Sequence, residues 1–291
     1  MDLKEFDYQL PSSLIAAYPN RERERSRLLV IRRSSGEIIH SVFSELGEFL
    51  QSGDLLVLND TKVFPARLKG NKSSGGKVEV LLVERFPEED RTLWIALVDA
   101  AKKPSVGSRL YFGERMSAEV IGDLGRGRFG LEFHHDGEFS ELIEALGEPP
   151  LPHYVRRQRV TEALDRQRYQ TIYAARTGAI AAPTAGFHFT PELFAKLEAK
   201  GIEKALLTLH VGPGTFQPVR EATIEQHRME GERYSLSAET AAKINQAKTS
   251  GQRIVAVGST TTRTLEWIAL QQRGQIVADE GIARLYLCPG D

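Results

Sequence analysis

Apolar and polar residues follow two different rhythms along this chain, and the change of rhythm divides it. Residues 28–31 and 37–40 read as a hairpin around Ser34-Ser35-Gly36, and 43–50 as a helix stopped near Gly53. Residues 54–58 form a short apolar strand leading into Asn59-Asp60-Thr61-Lys62. From about Arg67 the pattern shifts. Segments 77–86, 92–98, 109–112, 118–121 and 128–133 are brief β-branched or aromatic runs, punctuated by Gly75-Gly76, Gly107 and Gly125-Arg126-Gly127. Closely spaced strands with almost no helix predict a small β-barrel. A short helix over 139–146 and the stiff Pro149-Pro150-Leu151-Pro152 return the chain to its first pattern. The predicted fold class is α/β with mixed α+β character. Its main domain is discontinuous, residues 1–64 and 149–291, with an inserted small β-barrel domain over residues 65–148.

The stretch 165–219 concentrates Gly, Pro, Thr and two His between apolar runs. Phe187 and Phe189 alternate with His188, which predicts a strand with both rings on one face and His188 on the other. Thr190 reads as an N-cap with Pro191 at the first helical position and Glu192 in the first turn. Leu193, Phe194 and Leu197 mark the apolar face of that helix, and Gly201 its left-handed stop. A strand over 205–211 then points Leu207, Leu209 and Val211 one way, Thr208 and His210 the other, and dies in Gly212-Pro213-Gly214-Thr215. Open α/β sheets keep their ligands at such loop ends. On spacing alone, each His also fits an ordinary hydrogen-bonded residue and Gly-Pro-Gly an ordinary turn.

Further on, Ser237 caps a helix to 248, and 253–257 is an apolar strand. Gly258-Ser259-Thr260-Thr261-Thr262 opens a helix over 263–272. Backbone amides, hydroxyls and the positive end of the helix dipole suit an anion there, although Ser and Thr also cap helices that hold nothing. No Lys follows the glycines as in a phosphate loop, and there is no Gly-x-Gly-x-x-Gly.

Composition narrows the functional classes. A chain of 291 residues with 41% hydrophobic content can bury a real core. A formal net charge of −1 leaves no global basic footprint, so a nucleic-acid partner needs a local patch. The densest basic cluster is Tyr154, Arg156, Arg157 and Arg159, with Arg166 and Arg168 nearby. Guanidinium pairs with phosphate and aromatic faces stack bases, so the cluster suits a single-stranded RNA loop. Ion pairing with Glu148, Glu162 and Asp165 explains it equally well. Arg21, Arg23, Arg25 and Arg27, interleaved with Glu22 and Glu24, read as a solvated mixed-charge face. The single cysteine, Cys288, excludes an internal disulfide and any multi-cysteine zinc site. The His are scattered without ligand spacing, so no metal is expected. Asp2, Lys4, Glu5 and Asp7 stand where a signal peptide needs an apolar run, and no apolar segment reaches bilayer length. The expectation is a cytoplasmic protein without membrane contact.

The segments PTAGFHFT, TLHVGPGTFQPV, DRQRYQTIYA and AVGSTTTRTLE resemble the S-adenosylmethionine:tRNA ribosyltransferase-isomerases of queuosine biosynthesis. FDYQLPSSLIAAYP and LNDTKVFPARLKG resemble the same family, so the likeness runs in order from end to end. It implies a two-domain arrangement and a defined reaction. The ribosyl group of S-adenosylmethionine moves onto 7-aminomethyl-7-deazaguanine in a tRNA anticodon loop and becomes an epoxycyclopentanediol, giving epoxyqueuosine-tRNA, while adenine and methionine leave. S-adenosylmethionine is a co-substrate, so no true cofactor is expected, and the partners implied are that molecule and the tRNA anticodon stem-loop, bound by a monomer. The motifs place Thr184, Gly186, Phe187, Gly212, Gly214, Thr215, Gly258, Thr260 and Thr262 at S-adenosylmethionine. The cluster Tyr154, Arg156, Arg157, Arg159 and Arg168 is placed at tRNA.

Such a reaction needs a base for the carbon beside the sulfonium and an acid for adenine, and His titrates where both tasks are feasible. His188, His210 and His227 are the candidates, with the division of roles open. Phe187, Phe189 and Phe216 are candidates to face the sulfonium charge. The resemblance also implies an Asn-Phe-His-Leu-Pro type segment after Pro289-Gly290, where this sequence ends at Asp291, so a chain lacking its C-terminal segment is expected. Glu230 stands where many relatives carry His. Two other readings stay open. One is an α/β enzyme using the 258–262 loop for another nucleotide or phosphorylated metabolite, and the other is a non-catalytic RNA-binding protein, including a shortened member of the family.

Overall fold

A computed structural model describes residues 1–86, 91–152, 155 and 163–291. These form two compact units. One comprises residues 1–62, 155 and 167–291, and the other 63–86, 91–152 and 163–166.

The first unit opens with short 3-10 helices and the antiparallel hairpin β1 (Arg27–Ile31) and β2 (Ile38–Val42), where Gly36 turns the chain at φ +72°. The expected helix over 43–50 is a 3-10 helix, Phe43–Phe49. Val42 supplies no capping side chain and Gly47 sits inside it, so nothing favours an α turn. Every residue of β3 (Leu55–Asn59) is buried, as befits a central strand. β4 (Thr61–Val63) follows at once and leads out of the unit.

The second unit is a closed barrel of six strands: β5 (Arg67–Lys72), β6 (Lys77–Arg85), β7 (Thr92–Asp99), β8 (Arg109–Phe112), β9 (Met116–Gly125) and β10 (Arg128–His135). They run in the order β10-β7-β6-β5-β8-β9, each pair antiparallel where a register is given. Alternate residues point inward, so Leu68, Val80, Leu82, Ala96, Leu110, Phe112, Phe129 and Leu131 fill the interior. Helix α1 (Phe139–Leu146) buries Leu142 and Ile143. The barrel has one strand beyond the five expected, because β5 (RLKGNK) carries a single large apolar residue, Leu68.

The remaining elements are α2 (Ala163–Arg168), β11 (Arg176–Ala179), α3 (Pro191–Ala199), β12 (Glu203–Leu209), β13 (Glu232–Leu236), α4 (Ala238–Thr249), β14 (Ile254–Ala256), α5 (Ser259–Gln271) and β15 (Asp279–Ala283). β11 pairs with β4 in a small separate sheet. The main sheet has the order β14-β3-β12-β13-β15. Its first three strands are parallel and its last two antiparallel. The mixed architecture and the barrel agree with the fold class expected from the sequence.

Local chemistry explains the helices. Thr190 Oγ1 accepts from Leu193 N at 3.1 Å, Pro191 occupies the first turn, and Gly201 ends α3 at φ +80°. Ser237 Oγ caps α4 by accepting from Thr240 N at 3.1 Å. Leu193 and Leu197 pack with Leu50, Leu56, Leu58, Phe189 and Ile202. Burial of each such side chain stabilises by about 1.5–3 kcal/mol. No helix among the described residues is long and apolar enough to cross a membrane.

This topology has one functional consequence. β14, β3 and β12 run parallel and in register, with Leu55 opposite both Ile254 and Glu203. Their carboxyl ends, at Ala256, Asn59 and Leu209, therefore lie side by side.

Candidate active site at the carboxyl edge of the parallel strands

Asn59 ends the central strand and is fully buried. Its Nδ2 donates to Leu209 O at 2.9 Å and to Thr260 Oγ1 at 3.2 Å. Its Oδ1 accepts from Leu209 N at 3.0 Å and Thr61 N at 3.1 Å. One side-chain amide thus ties β3 to the end of β12 and to the first turn of α5. Asp60 continues the clamp, its Oδ1 accepting from Thr208 Oγ1 at 2.5 Å and its carbonyl from Ala175 N and Arg176 N. That contact also buries Thr208, on the face opposite Leu207, whereas Leu206 on the same face is exposed.

Thr61 brings chemistry to this frame. Its Oγ1 lies 2.8 Å from His210 Nδ1. Gly178 of β11 meets the same imidazole: a Cβ added there would sit 2.8 Å from Nδ1 and Cε1 and 2.9 Å from Nε2. His210 is half-buried, and burial pushes its pKa below the ordinary 6.5, although Asp60 pulls the other way.

The third strand end supplies a helix terminus. Gly258 turns the chain at φ +89°, and α5 begins at Ser259, not at Arg263 as expected. In that first turn Thr261 Oγ1 donates to Val257 O, Thr262 Oγ1 to Gly258 O, and Thr260 Oγ1 accepts from Asn59. Their hydroxyls are committed, but Gly258 offers no side-chain cap to the first-turn amides. Ala185 approaches this turn, its Cβ 3.2 Å from where a Cβ on Gly258 would be.

The 187–189 strand is not present. Thr184–His188 is a 3-10 helix, closed by Gly186 N donating to Pro183 O at 2.9 Å. Gly186 is buried so tightly against Tyr173 that a Cβ added to this turn would fall 2.0 Å from the Tyr173 hydroxyl. The two rings consequently part company. Phe189 enters the core against Phe43, Tyr173 and Phe194, and Phe187 packs on Tyr169. Thr184 is exposed.

His188 sits against Phe43, with ring centroids 5.2 Å apart, and burial lowers its pKa. His227 has other neighbours again, Glu221 at 3.4 Å and the Tyr286 ring at 4.9 Å. The 212–215 turn is a 3-10 helix, Pro213–Phe216, with Thr215 exposed and Gly214 against Glu230. Gly212 N donates to Glu232 Oε1 at 2.8 Å. The structure thus joins His210 to the start of α5 through Thr61 and Asn59. The contacts of His188 and His227 involve different residues.

The sequence profile of the queuosine biosynthesis proteins matches residues 3–291. The chain belongs to that family. It is also similar to a protein of known crystal structure, an S-adenosylmethionine tRNA ribosyltransferase from Thermotoga maritima at 2.00 Å resolution. The two are 35% identical over 97% of this chain and 78% of the other, with a TM-score of 0.45.

Within this family member, Asn59, Asp60, Thr61 and Gly178 are candidate site residues that drew no functional assignment from the sequence. For the first three the signal was the run of four polar residues, Asn59 to Lys62, directly after the apolar residues 55–58. Of the residues assigned to tRNA, Tyr154, Arg156, Arg157 and Arg159 lie outside the described residues. Arg168 is described, and donates from Nη1 to Arg21 O at 3.0 Å and from Nη2 to Asn20 O at 2.6 Å.

Proposed function

We propose that this chain transfers and isomerises the ribosyl group of S-adenosylmethionine onto 7-aminomethyl-7-deazaguanine in a tRNA anticodon loop, releasing adenine and methionine. The observation that carries the reading is an imidazole, His210, anchored through Thr61 at a parallel strand end beside an uncapped helix N-terminus, in a member of the queuosine biosynthesis family. The match of that family along residues 3–291 supports the choice of substrates.

The roles follow from the chemistry. The sulfonium acidifies the carbon beside it. His210 Nε2 takes that proton: the C–H bond breaks, its electron pair stays on carbon, and an N–H bond forms. A carboxylate is the natural ligand of the first-turn amides of α5, which fixes the methionine end of the donor. His188 packs on Phe43 and His227 on Glu221 and Tyr286, away from the Thr61–Asn59 frame, so neither is given a role in this step.

The test is incubation with S-adenosylmethionine and tRNA bearing 7-aminomethyl-7-deazaguanine, followed by adenine and modified-base detection. Adenine release that requires both substrates is expected, with H210Q reduced by about a hundredfold or more. Binding of tRNA without adenine release would favour an RNA-binding protein instead.

A further inference from the structure

We propose that Thr61 and Gly178 are positioning residues that dedicate Nε2 of His210 to the substrate. Thr61 accepts the proton on Nδ1, and Gly178 leaves the space in which the ring lies. This rests on the reading of His210 as the base.

An unanchored imidazole exchanges its proton between two nitrogens and turns about its side-chain bonds, so only part of its population presents a lone pair in a given direction. Thr61 removes that freedom. It is itself immobile: fully buried, with its backbone N–H held at 3.1 Å by the Asn59 amide, which also fixes the strand end from which His210 emerges. Its hydroxyl is 2.8 Å from Nδ1. A base at Nε2 requires the proton on Nδ1, and Thr61 Oγ1, which can accept as well as donate, is the partner placed to take that hydrogen bond. The opposite tautomer would place the proton on Nε2 and leave no base. The charged groups that bear on the ring are Asp60, which favours the imidazolium, and Arg233 and Arg176, which oppose it. Thr61 supplies direction without charge.

Gly178 acts on the ring by its lack of a side chain. A methyl group there would meet Nδ1, Cε1 and Nε2 at 2.8–2.9 Å, well inside ordinary contact, so the imidazole would have to move. The neighbour is a packed ring at a strand end, and its displacement would break the hydrogen bond to Thr61.

The experiment compares T61V, T61S, G178A and H210Q in full-length protein by kcat and KM for adenine release across pH. In parallel, the imidazole nitrogens are observed by 15N NMR, with H210Q assigning the His210 signals. T61V is expected to lose roughly tenfold or more in kcat, with KM for S-adenosylmethionine changed less than about twofold, since geometry and not binding is removed. Its His210 signals should show the Nδ1–H tautomer depleted. T61S should restore both rate and spectrum, and G178A should follow T61V. Wild-type kcat and an unchanged His210 spectrum in T61V and G178A, with H210Q inactive, would overturn the positioning role alone. Full activity in H210Q would overturn the base assignment, and the proposal with it.

Discussion

Arg263 and Glu232 form an ion pair with almost no exposed surface, 5% for one and 4% for the other, directly behind the Gly212 turn. Glu232 Oε1 accepts from Gly212 N, and Arg263 Nη2 donates to Glu230 O and Ala283 O, so the pair fastens α5, β13, β15 and the 212–216 turn together. Burial still pushes the Glu232 pKa up despite its partner. Breaking one side of such a pair leaves a buried charge alone. R263A should cost about 3–5 kcal/mol in denaturant unfolding, and the double variant R263M/E232Q should recover part of it. Because the folded carboxyl binds its proton more tightly than the unfolded one, its contribution is largest below about pH 4.5 and declines as pH rises through the raised folded value. E232Q should remove that slope; an unchanged pH dependence of stability in E232Q would contradict the account.

Asn59 should be among the most sensitive polar positions. Its amide makes four hydrogen bonds with no exposure to water, so N59A strands the backbone of Leu209 and the N–H of Thr61. A loss of at least ~2 kcal/mol is expected. N59D keeps the shape but turns a carboxylate oxygen toward the Leu209 carbonyl, and should unfold at a lower urea concentration than N59A. The reverse order would mean that cavity size, not donor loss, governs the site.

The degree to which this molecule was legible follows from where the information resides. Alternation and turn residues are local, so the barrel and the caps at Thr190 and Ser237 could be read directly. The parallel arrangement made His210 and the 258–262 segment plausible neighbours. Three features escaped for non-local reasons. β5 is held by pairing with β6 and β8, not by its own polar sequence. The Thr184–His188 turn lies with Gly186 close against Tyr173, a contact that the local 187–189 alternation does not reveal. Asn59 and Thr61 owe their importance to β12, about 150 residues away, as the separations of 150 and 149 show. A strand-end polar run is visible in sequence, but its partners are not.

Burial of His210 has a sign that pH can check. Its pKa lies below 6.5, so the neutral, proton-accepting form persists into mildly acidic solution. The acid limb of kcat/KM for adenine release should therefore fall below pH 6.5, activity being lost only as pH drops through the lowered value. The same shift makes the folded state shed its proton more readily than the unfolded one, so His210 contributes to stability above 6.5 and less as pH falls through the window beneath it. H210Q should flatten that part of the stability curve. An acid limb above 6.5, measured with both substrates saturating and then limiting, would exclude His210 as the group reported.

Arg168 offers a test that tells structural arginines from those proposed to meet RNA. Both its terminal nitrogens hold backbone carbonyls of Asn20 and Arg21, and its Nε is buried with no partner among the described residues. Arg23 reciprocates, donating to Phe187 O at 3.0 Å and Gln167 O at 3.1 Å. Together they pin the 20–23 segment beside the turn that carries His188. A guanidinium committed in this way has little left for phosphate. R168A should accordingly raise amide exchange and protease sensitivity around residues 20–25 while leaving the salt dependence of tRNA binding unchanged. Replacing Arg156, Arg157 and Arg159 by Ala should do the opposite. It should weaken binding and flatten the logarithmic salt slope by ~0.7 for each single-stranded phosphate that is no longer neutralised, because fewer counterions are released. The two variants test one distinction from both sides. If R168A alone flattens the slope, its carbonyl bonds give way on binding and the side chain belongs to the tRNA surface after all.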